Sequence, residues 1–179
     1  SIVACLSPQI DRAGADRIRA VPPEDLTAHG NAQRAWTAIS SGETEYCPAP
    51  REQAAALARQ ALDRDPRAGL AGRVPAWVAW WHVYHGTTAS VSDTLADGID
   101  AATRAIAIDK SGHHARRLRA QLHFMNQDPA AGLSELRQAH DMNPNSALTL
   151  CWLEFYEAIN GDTQCGVPLA EAGLRRSPR

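Results

Sequence analysis

Lysine is almost missing from this chain of 179 residues: Lys110 is the only one among 18 basic side chains. The arginines are scattered and matched by 20 acidic residues, for a net charge of −2. A nucleic-acid or membrane-surface footprint needs clustered, uncompensated positive charge, and neither partner class is expected. The arginine bias reads as the coding bias of a GC-rich genome. β-Branched residues are also few, with 7 Val and 8 Ile against 33 Ala, which argues against a sandwich or barrel. The four cysteines, at 5, 47, 151 and 165, form no C-x-x-C pair and have no His at zinc-finger spacing. A zinc ribbon and a thioredoxin-like redox motif are thereby excluded, and free thiols in a reducing compartment are the reading. The longest apolar stretch, Val74 to Tyr84, is interrupted by Pro75 and His82 and falls short of the roughly 20 residues of a spanning helix. With no basic n-region or cleavage site at the N-terminus, a cytoplasmic protein is expected.

What is present is an internal repeat. A phrase ending in Asp/Asn-Pro occurs as Ala61-Leu62-Asp63-Arg64-Asp65-Pro66 and again as Ala139-His140-Asp141-Met142-Asn143-Pro144. Degenerate copies end at Lys110 and Pro178. Lys110 to Pro144 and Pro144 to Pro178 are each 34 residues, the length of a tetratricopeptide repeat, and Pro66 to Lys110 is 44. The extra ten are expected in the Gly/Thr/Ser-rich stretch His85 to Ser90.

Local signals divide each period into two helices. Arg51 to Asp63 carries an apolar stripe of Ala54, Leu57, Ala58, Ala61 and Leu62 after Pro50. Thr27 or Asp25 can cap Ala28 to Ser40, with Ala32, Ala35, Trp36 and Ile39 inward. Asp128-Pro129 is an N-cap followed by Pro at N1, and Ser146 can cap a helix from Ala147 to about Asn160, stopped by Gly161. Ile2, Leu6 and Ile10, extended by Ala13 and Ile18, mark a leading helix over 1–22. The expectation is an all-α, TPR-like right-handed superhelix of antiparallel helix pairs over 23–179, with periods ending near 66, 110, 144 and 178.

The phrase Asn143-Pro144-Asn145-Ser146-Ala147-Leu148, the Gly161-Asp162 junction, and the small residues Ala120 and Ala139 resemble tetratricopeptide repeats. Ile10-Asp11-Arg12-Ala13 running into Pro22-Pro23-Glu24-Asp25-Leu26-Thr27-Ala28, a long first hairpin, and Trp77 to His85 with an inserted loop resemble something narrower. Over residues 8–179 they look like the C-terminal repeat region of bacterial class III adenylate/guanylate cyclases and related winged-helix regulators. That resemblance implies a regulatory module following a catalytic or DNA-binding domain, and hence a piece of a longer protein. Departures from the pattern are Glu154 and Glu157 on the first helix of the last repeat, Lys110 for a terminal Pro, Gly132 and Gly166 for Ala, and Pro168 near the last helix. Gly for Ala is expected to weaken packing by about 1 kcal/mol.

Chemistry-bearing residues are sparse. His82 and His85 share a helix face, but a metal site needs three or four ligands and no carboxylate accompanies them, so neither metal nor cofactor is expected. Cys151 or Cys165 as a nucleophile would need a base and an orienting partner that spacing does not identify. There is no Gly-rich phosphate loop, no G-x-S-x-G and no H-E-x-x-H, and no enzyme is expected within this chain. Counting back from Pro144, the first-helix positions facing a tetratricopeptide groove are His114, Arg117 and Gln121 in the third period and Leu148, Cys151 and Phe155 in the fourth. Trp77 and Trp81, in the dense aromatic run with Trp80 and Tyr84, are candidates to line it, set against core packing. Arg117 suits a carboxylate contact, set against a solvated charge face for Arg116, Arg117 and Arg119. The expected function is binding of a protein or peptide, or self-association into a homo-oligomer. The alternative is a small-molecule or metal sensor in the Trp/His-rich segment 77–85.

Overall fold

The capping residues picked out above do cap helices. In the computed structural model, which describes residues 27–40, 48–110 and 112–160, Thr27 Oγ1 accepts from the Gly30 amide at 3.2 Å and opens α1, Ala28–Ser40. Helix α2, Pro48–Arg64, begins three residues before the expected Arg51. Helix α3 is Gly69–Tyr84 and runs through Pro75. Ser90 caps α4, Val91–Ile108, by accepting from Asp93. Helix α5 is His113–Met125. Asp128 caps α6, Pro129–Met142, with Pro129 at the first position, and Ser146 caps α7, Ala147–Ile159. The 1–22 helix, the Gly161 stop, the segment around Pro168 and the period end at Pro178 lie outside the described residues, as do Cys5, Cys47 and Cys165.

The helices associate as consecutive hairpins, α1 with α2, α3 with α4, and α5 with α6, and α7 packs on α6. First helices also pack in a row, α1 on α3 and α3 on α5. Pro66, Lys110 and Pro144 sit in the short connections after α2, α4 and α6. The fold is all-α and TPR-like, with no strand among the described residues.

The ten extra residues of the second period are not one loop insertion. Helix α3 has 16 residues against 13 in α5, and α4 has 18 against 14 in α6. The turn between α3 and α4 is three residues longer than that between α5 and α6. Seven of the ten therefore extend helices, which leaves no breaker in the sequence to betray them.

Alanine forms much of the helix interfaces. One core cluster joins Ala32, Ala35, Ala54, Ala58, Ala61 and Ala71 with Ile39, Leu57 and Val74. A second joins Ala76, Ala79, Ala101 and Ala102 with Leu95, Leu118 and Leu122, and a third centres on Ala120, Leu136 and Leu153. Cores distributed between neighbours, rather than one central core, are what repeat stacking produces. Two glycines carry the close approaches further. A Cβ at Gly98 would lie 2.7 Å from the Ala79 Cβ, and one at Gly132 would lie 2.6 Å from Phe124 Cε2. Gly132 therefore does not weaken the α5–α6 contact, as the Ala pattern led us to expect; it makes room for the Phe124 ring.

Candidate functional site

The expected groove residues fall into two groups, one interior and one on the surface. Helix α5 turns Arg117 and Gln121 inward, where both are buried. Arg117 Nη1 donates to Gln121 Oε1 at 2.8 Å, one helical turn away, and its Nε is buried with no acceptor. Loss of water pushes the Arg117 pKa down to about 10, still well above neutrality. His114, one turn earlier, packs its ring 5.8 Å from that of Trp36 and 4.0 Å from that of His113. Burial first, then His113, Arg117 and Arg73, lower its pKa to about 2, so the imidazole is neutral. His113 is lowered chiefly by burial as well. The Arg73 guanidinium lies 5.8 Å from the Trp36 ring and pairs with Asp109 at 2.8 Å. Trp36 from α1, Arg73 from α3, and His114 and Arg117 from α5 thus form one polar and aromatic junction of three first helices.

Arg116 and Arg119 are not a solvated charge face. Both reach Glu135 on α6, as Nη1 to Oε2 at 3.2 Å and Nη2 to Oε1 at 2.5 Å. Charge pairing recurs between α6 and α7, where Arg137 donates to the buried Glu157 at 2.7 Å.

The aromatic segment divides as well. Trp81 is buried, with the Arg51 guanidinium 3.2 Å from its ring centroid and His85 stacked at 4.1 Å, so it is a packing residue between α2 and α3. Trp77 is half-buried and touches both of the first two core clusters. His82 Nδ1 lies 2.7 Å from Thr87 Oγ1, in hydrogen-bond contact, and His85 is taken up by Trp81, so the two histidines serve the turn after α3. No group of three or more His, Cys, Asp or Glu able to hold a metal ion occurs among the described residues. A cleft of about 380 Å³, which no sequence signal marked, lies at the start of α3 beside the Arg73–Asp109 pair.

The surface group lies on α7. Cys151 is a free, exposed thiol. Phe155 and Leu148 are each 50% exposed and Ile159 is 63% exposed. Positions 148, 151, 155 and 159 recur every three to four residues, so they form one apolar stripe along the helix. Beside it runs a continuous set of rings: Tyr84 stacks on Trp80 at 5.2 Å, Trp80 meets Trp152 edge-on at 6.5 Å, and Trp152 meets Phe155 at 5.9 Å. Tyr156 lies parallel to Phe124 at 3.2 Å, and burial raises its pKa to about 12. Sequence reasoning named Leu148, Cys151 and Phe155 for this face but missed Ile159, which its i+4 spacing from Phe155 would have found. It also missed Trp152, which joins α7 to α3.

Helix hairpins stacked in this order define a TPR-like repeat array, a fold that presents surfaces more often than it carries chemistry. Seventeen chains of solved structures match it. One is the structure described as "MamA MSR-1 C2", a TPR-containing protein, at a TM-score of 0.52 and 8% sequence identity over 98% of this chain and 97% of that one. No protein-family model and no curated protein matches the sequence. No described helix is long and apolar enough to cross a membrane.

Proposed function

We propose that the chain is a non-catalytic module for binding a protein segment or for self-association, and that the α7 stripe is its contact surface. The observation that carries this reading is the exposure of Leu148, Phe155 and Ile159 on one face of one helix, backed by the Tyr84–Trp80–Trp152 rings. Large apolar residues grouped in this way mark an interaction site rather than ordinary surface. An amphipathic helix with anchors three and four residues apart fits such a stripe. The TPR-like fold supports a binding role without naming the partner.

The test uses wild type and Phe155→Glu. Self-association predicts concentration-dependent sedimentation of the wild type and a monomeric variant. Binding of a separate partner predicts a monomeric wild type that selects peptides from a displayed library, with binding lost in the variant. A monomeric wild type that selects nothing the variant fails to bind sinks the reading.

The resemblance to cyclase-associated repeats would make this the regulatory part of a larger bacterial signalling protein. No family model supports that parentage, and the coding sequence upstream of Ser1 tests it. The sensor reading for 77–85 has less behind it, since His82, His85 and Trp81 are all engaged within the fold.

A further inference from the structure

Every arginine on α3 to α7 but one has a carboxylate. Arg73 pairs with Asp109, Arg104 with Asp100, Arg116 and Arg119 with Glu135, and Arg137 with Glu157. Arg117, among the most deeply buried of them, has none among the described residues and bonds only the neutral amide of Gln121. A neutral acceptor satisfies one donor and leaves the charge in place. Burying an uncompensated guanidinium is strongly unfavourable, and proteins retain such groups where a counter-charge arrives from elsewhere. A turn away, His114 Nδ1 is also buried with no partner, and the carboxylate of Asp109 pairs with Arg73. Among the described residues, the junction of α1, α3 and α5 thus sets two guanidiniums, Arg73 and Arg117, against the one carboxylate of Asp109, with a partnerless nitrogen on each of His114 and Arg117.

We propose that this junction is an oxyanion site, in which a small carboxylate or phosphate group accepts from the Arg117 guanidinium beside His114 and Trp36. Arg117 carries the charge, and its planar fork of donors matches two oxygens of such a group. Gln121 holds the guanidinium in place from the side away from its Nε. His114, being neutral, adds a single hydrogen-bonding nitrogen rather than a second charge. The Trp36 ring, 5.8 Å from the His114 ring and 5.8 Å from the Arg73 guanidinium, adds apolar surface to the junction. This site does not depend on the α7 surface, and Phe155→Glu leaves it intact.

Thermal unfolding at pH 7 tests it in chloride, in inorganic phosphate and in acetate, at matched ionic strength. Wild type is compared with Arg117→Met and with Arg104→Gln, which removes an equal charge from an exposed pair. The midpoint of wild type and Arg104→Gln rises by about 3–5 °C for each tenfold increase of the anion above its dissociation constant, and that of Arg117→Met does not. A rise in phosphate alone assigns the site to phosphate, and a rise in acetate assigns it to a carboxylate. No rise in wild type with either anion, or an equal rise in Arg117→Met, overturns the proposal. Should Arg117→Met fail to fold, the assigned Arg117 Nε–H resonance of wild type decides: it moves on adding the anion if the site is real and stays fixed if it is not.

Discussion

Gly132→Ala sets two well-measured effects against each other. In the interior of α6, alanine is worth about 1 kcal/mol more than glycine on helix propensity alone. Its methyl group, however, would lie 2.6, 2.7 and 2.9 Å from three ring carbons of Phe124. Carbon atoms rest at about 3.5–4.0 Å, so the ring or the helix must give way by about 1 Å. The Phe124 ring has little freedom to do so, because it lies parallel to Tyr156 with centroids 3.2 Å apart. Overpacking of this kind costs about 1–3 kcal/mol. The balance is a net destabilisation of about 1 kcal/mol, or about 2–4 °C in the unfolding midpoint for a chain of this size. Circular dichroism melts of wild type, Gly132→Ala, Phe124→Leu and the double variant close a cycle. In the Phe124→Leu background the alanine should cost nothing or stabilise. A Gly132→Ala protein as stable as wild type, or an alanine cost unchanged by Phe124→Leu, would refute the steric argument.

Acid should destabilise the fold through His114. Its native pKa is depressed to about 2 while the unfolded chain takes up the proton near 6.5, so the unfolded state binds more protons below pH 6.5. Stability is fully present above that value and falls with pH, by about 2 kcal/mol at pH 5 from this residue alone. His113, also lowered, adds in the same direction. Urea titrations between pH 7.5 and 5 should show a shallower slope for His114→Gln, and an unchanged slope would count against the burial of this ring. Arg137→Ala strands the buried Glu157 carboxylate and should cost about 1–3 kcal/mol. Adding Glu157→Leu should recover most of that loss in chemical denaturation, and a double variant no more stable than Arg137→Ala would mean that the pair is not the cause.

The helix pairs were legible because their signals are local. Thr27, Asp128-Pro129 and Ser146 each announce a helix start within a few residues, and the 34-residue spacing of Lys110 and Pro144 sets the order. The placement of the ten extra residues was not legible, since lengthening α3 and α4 adds helical turns without a breaker. Spacing put Arg117 and Gln121 on one face of α5 but did not say that the face is covered. What closes that junction is the approach of α1, seen in Trp36 against His114, a contact between distant parts of the chain that no local pattern encodes. The α7 face was nearly complete from spacing, because an exposed stripe on one helix is itself a local feature. The reading of Gly132 as a defect failed because its reason is a ring on another helix.

The contacts of Trp36 with His114 and of Trp80 with Trp152 each join helices two hairpins apart. An open solenoid behaves as a one-dimensional chain, whose stability is a sum of units and nearest-neighbour couplings and whose ends can melt alone. Second-neighbour links remove that freedom. Melting α7 would take a support from α3, and melting α1 would expose α5, so the hairpins rise and fall together. The described helices are thereby a single cooperative body, and a perturbation at α7 is felt at α1.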